Sequence, residues 1–135
     1  MHVLTTTSDD REALAAAFDD PARIIVVALC AAWCDTCREF RAGFDRLAQS
    51  RRQFTFVWLD VEDDADGAGD VDVENFPTLA IYRGDEPIHF GVSLPHETTI
   101  GRLVDALATH APVVAADEAV SGLPAKLAAA ARGRR

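Results

Sequence analysis

The sequence predicts an α/β protein in which helices flank a central mixed β-sheet. The segment Ile24 to Leu29 is apolar on both faces, which is typical of a central parallel strand covered by helices. Segments whose apolar residues recur at helical spacing alternate with short apolar strands. The pair Gly84-Asp85, between two strand-like segments, suits the turn of an antiparallel hairpin. The element order that follows is β-α-β-α-β-β-α.

Capping residues and apolar periodicity predict the individual elements. In chain order they are an edge strand at 2–4, a helix that begins after Thr7 to Asp10, the strand 24–29, a helix at 38–50, strands at 54–60, 79–82 and 88–90, and a last helix whose apolar face is Ile100, Leu103, Val104 and Leu107. Pro87 fits an edge strand, because proline has no N–H to donate to a neighbouring strand.

Composition and charge narrow the class of protein. A chain of 135 residues with 49% hydrophobic residues can bury one core, and its net charge of −9 disfavours nucleic acid or an anionic membrane surface as a partner. Residues 1–11 hold no apolar leader core, and no segment approaches the ~18 apolar residues that a membrane span needs. Three cysteines, two of them close together, do not suit the disulfide framework of a secreted protein. We therefore expect a monomeric cytoplasmic protein.

Two cysteines, Cys34 and Cys37, are separated by two residues at the junction between the strand 24–29 and the helix that follows. Residues i and i+3 at a helix start lie on one face with Cα atoms about 5–6 Å apart, which allows a disulfide. The unpaired N–H groups and partial positive charge of a helix N-terminus favour the thiolate of Cys34. The motif predicts thiol–disulfide exchange with Cys34 as the nucleophile and Cys37 as the resolving thiol, without a bound cofactor.

Trp33 directly precedes this motif, and Phe76-Pro77-Thr78 stands before a later strand. With these residues the chain resembles the thioredoxin family over about residues 2–110. The resemblance implies the thioredoxin fold, activity as a protein disulfide reductase, and a cis peptide bond between Phe76 and Pro77 that faces the active-site disulfide. It also implies a groove for a target chain, formed by Trp33, Phe76, Pro77, Phe90 and Gly91.

The chain departs from the family pattern at four positions that should modulate the site: Asp35, Thr36, Ala28 and Trp58. Ala28 stands where the family usually buries an aspartate thought to accept the proton of the resolving cysteine, and Trp58 where it has the lysine partner. Replacement of both members of this charge pair by apolar residues is physically coherent, because one buried charge without its partner would destabilise the fold. Asp35-Thr36 replaces Gly-Pro, and the charge of Asp35 opposes part of the helix-terminus effect. The proton of Cys37 would then pass to water, to the departing sulfur, or to a carboxylate of Asp35 or of 60–64.

Metal sites are the first alternatives to a redox site. Cys30, Cys34 and Cys37 match the spacing that holds an iron–sulfur cluster in radical SAM enzymes, but the chain is too short for their barrel and Thr36 replaces their aromatic residue. We expect Cys30 to pack as a small hydrophobe. Zinc would lack a second pair of ligands, and a calcium-loop match at 62–73 fails at its first and last positions. No metal is predicted.

The chain divides into a thioredoxin-like domain at 1–110 and a C-terminal extension at 111–135, which we expect to form short helices or to be partly disordered. Pro112 and Pro124 can each begin a short helix, with Gly122 and Gly133 just past the helix ends.

The expected partners are disulfide-containing protein substrates and a thioredoxin reductase or another thiol donor. The rival hypothesis is a non-catalytic binding or assembly module, or a chaperone, that uses the groove and the extension while its Cys-x-x-Cys motif is vestigial.

Overall fold

The computed structural model describes residues 3–5, 10–31, 34–61, 77–93, 95–110, 112–114 and 118–131. The described residues form α1 (Arg11–Phe18), β1 (Ile24–Cys30), α2 (Asp35–Ser50), β2 (Thr55–Asp60), β3 (Thr78–Arg83), β4 (Glu86–Val92), α3 (Glu97–His110) and α4 (Glu118–Ala131). The strands and helices that the sequence predicts between 10 and 110 are confirmed, and β4 is longer than predicted.

The four strands form one mixed sheet in the order β2-β1-β3-β4. β1 pairs with β2 in parallel and with β3 antiparallel, and β3 pairs with β4 antiparallel. All seven residues of β1 are buried, as its apolar sequence requires. Next to β2, Leu4 makes a single parallel bridge to Val57, so the predicted edge strand at 2–4 is reduced to one bridge in the described part of that segment.

Each face of the sheet carries its own apolar core, because alternate residues of β1 point to opposite faces. In the first core, Val26 and Ala28 of β1 pack with Phe44 of α2 and with Ile100 and Val104 of α3. The second core contains the alternate β1 residues and the apolar faces of α1 and α4; among its members are Leu14, Ile25, Val27, Leu29, Leu123 and Leu127. The helices α2 and α3 thus cover one face, and α1 and α4 cover the other.

The turn between β3 and β4 is the predicted hairpin. Gly84 adopts a φ of 63°, a left-handed conformation that favours glycine, and its N–H donates to the carbonyl of Arg23 at 2.8 Å. A Cβ atom at this position would lie 2.7 Å from the Pro21 carbonyl oxygen. Pro87 lies in β4, at the edge of the sheet, as predicted.

The described part of the C-terminal extension docks on the sheet. Val120 and Leu123 of α4 are buried in the second core. Gly122 and Pro124 both lie inside α4, so the prediction that Pro124 begins a separate short helix after Gly122 is wrong. Packing of the apolar face of α4 against the sheet keeps one helix through both residues, although each weakens a helix taken alone. Gly133 lies outside the described residues.

Candidate active site

Cys34 occupies the N-cap of α2, directly before the first helical residue. Its backbone is extended, with φ −85° and ψ 115°, and its carbonyl accepts the first helical hydrogen bond from the N–H of Arg38 at 3.1 Å. Its own N–H donates to the Ala31 carbonyl at 3.0 Å, a hydrogen bond to the residue that directly follows β1. Cys34 is a free thiol and is partly exposed. A free cysteine sulfur therefore stands at a helix N-terminus within reach of solvent.

Cys37 lies in the first turn of α2 and is fully buried. In the structure its sulfur is bonded to Cys30, the last residue of β1, with 6.0 Å between the two Cα atoms. The sequence predicts a bond between Cys34 and Cys37, so the bonded pair differs from the expected one. Cys30 is buried, as expected for a small hydrophobe, but the expectation missed its bond to Cys37. The roles of Cys34 as nucleophile and Cys37 as resolving thiol remain predictions.

The disulfide lies at the edge of the sheet where the parallel strands β1 and β2 end. Cys30 is the register partner of Asp60, and the Cys30 carbonyl accepts a hydrogen bond from the N–H of Val61 at 2.9 Å. Asp60 is 8% exposed. Side chains of register partners share a face, and Cys30 follows Ala28 by two residues, so Cys30 and Asp60 belong to the face covered by α2. A buried carboxylate thus stands beside the cysteine that is bonded to Cys37.

Ala28 and Trp58 are register partners on β1 and β2, so two of the departures from the family pattern are neighbours. Ala28 is fully buried, and Trp58 is partly buried against Phe40 and Phe44, with ring centroids 6.1 and 5.8 Å away. The guanidinium carbon of Arg41 lies 4.9 Å from the centroid of the Trp58 ring, which is a cation–π contact. An apolar pair with an aromatic cluster therefore occupies the positions for which the resemblance implies a charge pair.

Asp35 and Thr36, the residues between the two cysteines of the motif, are both exposed in the first turn of α2. Asp35 accepts a hydrogen bond from Arg38 and forms an ion pair with it. The positive charge of Arg38 therefore offsets part of the negative field that Asp35 exerts on Cys34. Both side chains are largely solvated, so this field is also weakened by water and salt.

The predicted groove residues are only partly described. Pro77 is buried before β3, and its carbonyl accepts a hydrogen bond from the N–H of Ser93 at 3.0 Å. The neighbouring Thr78 pairs in register with Leu29, which places Pro77 at the sheet edge where β1 ends. Gly91 pairs with Leu79 close to this edge.

Phe90 lies next to Gly91 on the edge strand β4 and is 37% exposed. Trp33 and Phe76 lie outside the described residues, and so does the peptide bond between Phe76 and Pro77. The groove, and the contribution of each of these residues to binding a target chain, remain predictions.

Two further observations concern metals and membranes. Within the described ranges, no group of three or more histidine, cysteine, aspartate or glutamate residues could hold a metal ion. No helix among these residues is long and apolar enough to cross a membrane. Most of the acidic segment 60–74 lies outside the described residues.

The sequence contained a signal for the position of Cys30 that our predictions did not use. In β1, residues two apart point to the same face, so Cys30 faces α2 together with Ala28. The resemblance places a buried family aspartate at position 28, close to the resolving cysteine. A cysteine two residues later on the same face is therefore within the neighbourhood of Cys37.

Comparison with known proteins identifies the family to which the chain is similar. The protein-family model described as Thioredoxin matches residues 4–104. A thioredoxin from Ophiophagus hannah is 31% identical over 67 residues, which is 50% of this chain and 64% of that protein. A thioredoxin from Mus musculus is 33% identical over 78 residues, which is 58% of this chain and 71% of that protein. The matched regions thus span 64% and 71% of these relatives.

Solved structures show the same fold. The X-ray structure of Fasciola hepatica thioredoxin superposes with a TM-score of 0.62 at 25% identity, covering 78% of this chain and 98% of that one. A chain from the complex of ferredoxin:thioredoxin reductase with thioredoxin f2 gives a TM-score of 0.65 at 15% identity, covering 80% of this chain and 96% of that one. The predicted thioredoxin fold is confirmed.

Proposed function

Because the chain belongs to the thioredoxin family of thiol–disulfide oxidoreductases, we propose that it reduces disulfides of target proteins, with Cys34 as the nucleophile and Cys37 as the resolving thiol. The observation that carries this proposal is the position of Cys34. It is a free, partly exposed thiol at the N-cap of α2, and Cys37 lies buried in the turn that follows. Exchange needs a sulfur that a target can reach, and Cys34 is the most exposed of the three cysteines.

The proposed reaction has two exchange steps. The Cys34 thiolate attacks one sulfur of the target disulfide, forms a mixed disulfide with it, and releases the other target sulfur as a thiolate. The Cys37 thiolate then attacks the sulfur of Cys34 and releases the second target thiol. Two electrons have passed from the protein to the target, and a disulfide joins Cys34 to Cys37. A thiol donor must reduce this disulfide before the next cycle.

The proposed partners follow from the family chemistry and from the surface. Pro77, Phe90 and Gly91, together with Trp33 and Phe76, would line the groove that receives the target chain. The net charge of −9 favours targets with basic surfaces. The electron donor would be a thioredoxin reductase or another thiol donor, a proposal supported by the reductase complex of a structural neighbour. A reducing compartment suits this direction of exchange, so we propose that the protein works as a monomer in the cytoplasm.

An insulin-reduction assay with a thiol donor tests the proposed activity. We expect the wild-type protein to reduce insulin and Cys34→Ser to have no activity. Cys37→Ser should hold targets as mixed disulfides on Cys34, because the step that releases them is removed. Peptide mapping of the trapped species identifies the bonded cysteine. A mixed disulfide on Cys30, or the absence of any trapped target, would contradict the assigned roles.

One observation favours the rival function, a non-catalytic binding or assembly module. The bond to Cys30 occupies the sulfur of Cys37, so the site as it stands has no free resolving thiol. Absence of both insulin reduction and trapped targets, in protein whose three cysteines are first fully reduced, would favour this rival.

A further inference from the structure

Cys37 stands between two other cysteines that approach it from different elements. Cys34 precedes it by three residues, at the N-cap of α2, and Cys30 comes from the end of β1 with its Cα atom 6.0 Å from that of Cys37. Both Cα separations fall within the range of a disulfide, because i and i+3 positions of a helix start are also about 5–6 Å apart. The sulfur of Cys37 can therefore bond to either neighbour.

We propose that Cys30 is a third redox-active residue, and that it replaces Cys34 as the disulfide partner of Cys37 after oxidation. The oxidised protein then holds a buried Cys30–Cys37 disulfide and a free thiol at Cys34. The structure has this arrangement, with Cys30 and Cys37 fully buried and Cys34 partly exposed. The formation of this pair by exchange rests on the proposed function, since that function supplies the first disulfide between Cys34 and Cys37.

The exchange is balanced without an external oxidant or reductant. The sulfur of Cys30 attacks the sulfur of Cys37, a Cys30–Cys37 bond forms, and the Cys34–Cys37 bond breaks. The thiol proton of Cys30 is lost and a proton is taken up by the departing sulfur of Cys34, so the net change is the transfer of one proton and no electrons. Asp60, the buried register partner of Cys30, would accept the proton of Cys30 during the exchange and then release it.

The environments of the three sulfurs favour this direction. The departing sulfur is best solvated at Cys34, which is the most exposed of the three cysteines. A disulfide carries no charge and needs no hydrogen bonds, so the buried positions of Cys30 and Cys37 accommodate it well. The reverse arrangement would leave Cys30 as a buried thiol and Cys34 within the disulfide.

The consequence is a second reactive site in the oxidised protein. With Cys37 bonded to Cys30, the Cys34 thiolate can still attack a small disulfide such as glutathione disulfide. Its sulfur then bonds to one glutathione and releases the other as a thiolate. No resolving thiol is available, so the mixed disulfide on Cys34 persists until a reductant opens the Cys30–Cys37 bond. Cys37 then attacks the sulfur of Cys34 and releases the glutathione.

The first test maps the free thiol of the oxidised protein. Reduced wild-type protein is oxidised by two electrons, quenched in acid, unfolded, and labelled with a maleimide before peptide mapping. We expect the label on Cys34 and a disulfide-linked peptide pair that contains Cys30 and Cys37. Label found mainly on Cys30, with Cys34 joined to Cys37, would overturn the proposal. The Cys34→Ser variant is the matched check, because it should still form the Cys30–Cys37 disulfide.

The second test adds glutathione disulfide to each oxidised protein. Wild type should gain one glutathione on Cys34, whereas oxidised Cys30→Ala should gain none, because Cys34 and Cys37 are then bonded to each other. Equal adduct formation in both proteins would overturn the proposal. Urea unfolding of reduced Cys30→Ala checks that this variant folds. If it does not fold, the mapping of the free thiol in the wild type still tests the proposal. Neither test uses a target protein, so failure of insulin reduction with Cys34 labelled would count against the proposed function alone.

Discussion

The hydroxyl of Tyr82 donates a hydrogen bond of 2.7 Å to the carbonyl of Val120. Val120 lies four residues before Pro124 in α4, and proline has no N–H to donate to the carbonyl of the residue four positions earlier. Tyr82 is a fully buried residue of β3. The hydroxyl of Tyr82 thus gives the Val120 carbonyl a hydrogen-bond donor that Pro124 cannot provide. This contact also joins the C-terminal extension to the sheet of the thioredoxin fold.

We expect Tyr82→Phe to lower the free energy of unfolding by about 1–3 kcal/mol, because a buried carbonyl loses a donor. Pro124→Ala restores a backbone N–H four residues after Val120, so Tyr82→Phe should cost clearly less in that background. Urea unfolding of the wild type, the two single variants and the double variant gives the coupling energy. Additive effects would show that the hydroxyl does not substitute for the missing helical hydrogen bond.

Asp60 pairs in register with Cys30, the cysteine that is bonded to Cys37, so we expect the carboxyl group of Asp60 to receive the proton of Cys37 when the mixed disulfide is released. We expect Asp60→Asn to slow release of a mixed disulfide at neutral pH by up to about 10²-fold, the lower end for a positioned general base. Stopped-flow decay of the mixed disulfide between Cys34 and a small aromatic thiol measures this rate. Asp35→Asn tests the other carboxylate that could accept this proton. A release rate that Asp60→Asn leaves unchanged would show that Asp60 is not the base.

Ala28→Asp introduces the carboxylate that the family resemblance implies. We expect it to restore fast release in the Asp60→Asn background and to destabilise the fold by about 1–3 kcal/mol, because a buried polar group lacks partners there. Trp58→Lys, at the register partner of Ala28, should recover part of this stability through an ion pair. The recovery should be limited, because the indole loses its contacts with Phe40 and Phe44. Release that stays slow in Ala28→Asp would mean that proton removal is not the limiting step.

The ion pair between Arg51 and Asp105 joins the end of α2 to α3. Nε and Nη2 of Arg51 donate to the two carboxylate oxygens of Asp105, each at 2.9 Å. The hydrogen bond from Arg51 lowers the pKa of Asp105, and the same bond raises the pKa of Arg51. A carboxylate whose pKa is lowered by folding stabilises the fold above its unfolded pKa of about 3.9, and this contribution is lost as pH falls through the folded pKa.

We therefore expect Asp105→Asn to lower the free energy of unfolding at pH 7 by about 0.3–1 kcal/mol, a small value because half of the Asp105 side chain is exposed. The difference from wild type should shrink as pH falls below about 4. Urea unfolding between neutral and acid pH measures both quantities. Asp45→Asn, which removes an ion pair within α2, is a control for loss of a surface carboxylate. A difference that grows as pH falls would contradict the assignment.

Much of this fold follows from local patterns in the sequence. The apolar segment that forms β1 is buried at all seven positions, because a strand covered on both faces needs no alternation. The turn at Gly84 follows from the sequence, because glycine is the residue type that adopts this left-handed conformation without strain. The motif Cys34-x-x-Cys37 indicates its helix-start position, because the apolar spacing that defines α2 begins just after it. Local sequence therefore determined the elements between 10 and 110, their order and the place of Cys34 at the start of α2.

Only the tertiary structure decided which groups meet around Cys37. Its bond to Cys30 depends on how α2 packs across the end of β1, and the place of Asp60 depends on the parallel register of β1 and β2. Around Pro124, in the same way, α4 packs against the sheet and accepts a hydrogen bond from a hydroxyl of β3. Periodicity and spacing describe one segment at a time, whereas these contacts join residues of different elements. They arise when burial of the two cores brings the elements together.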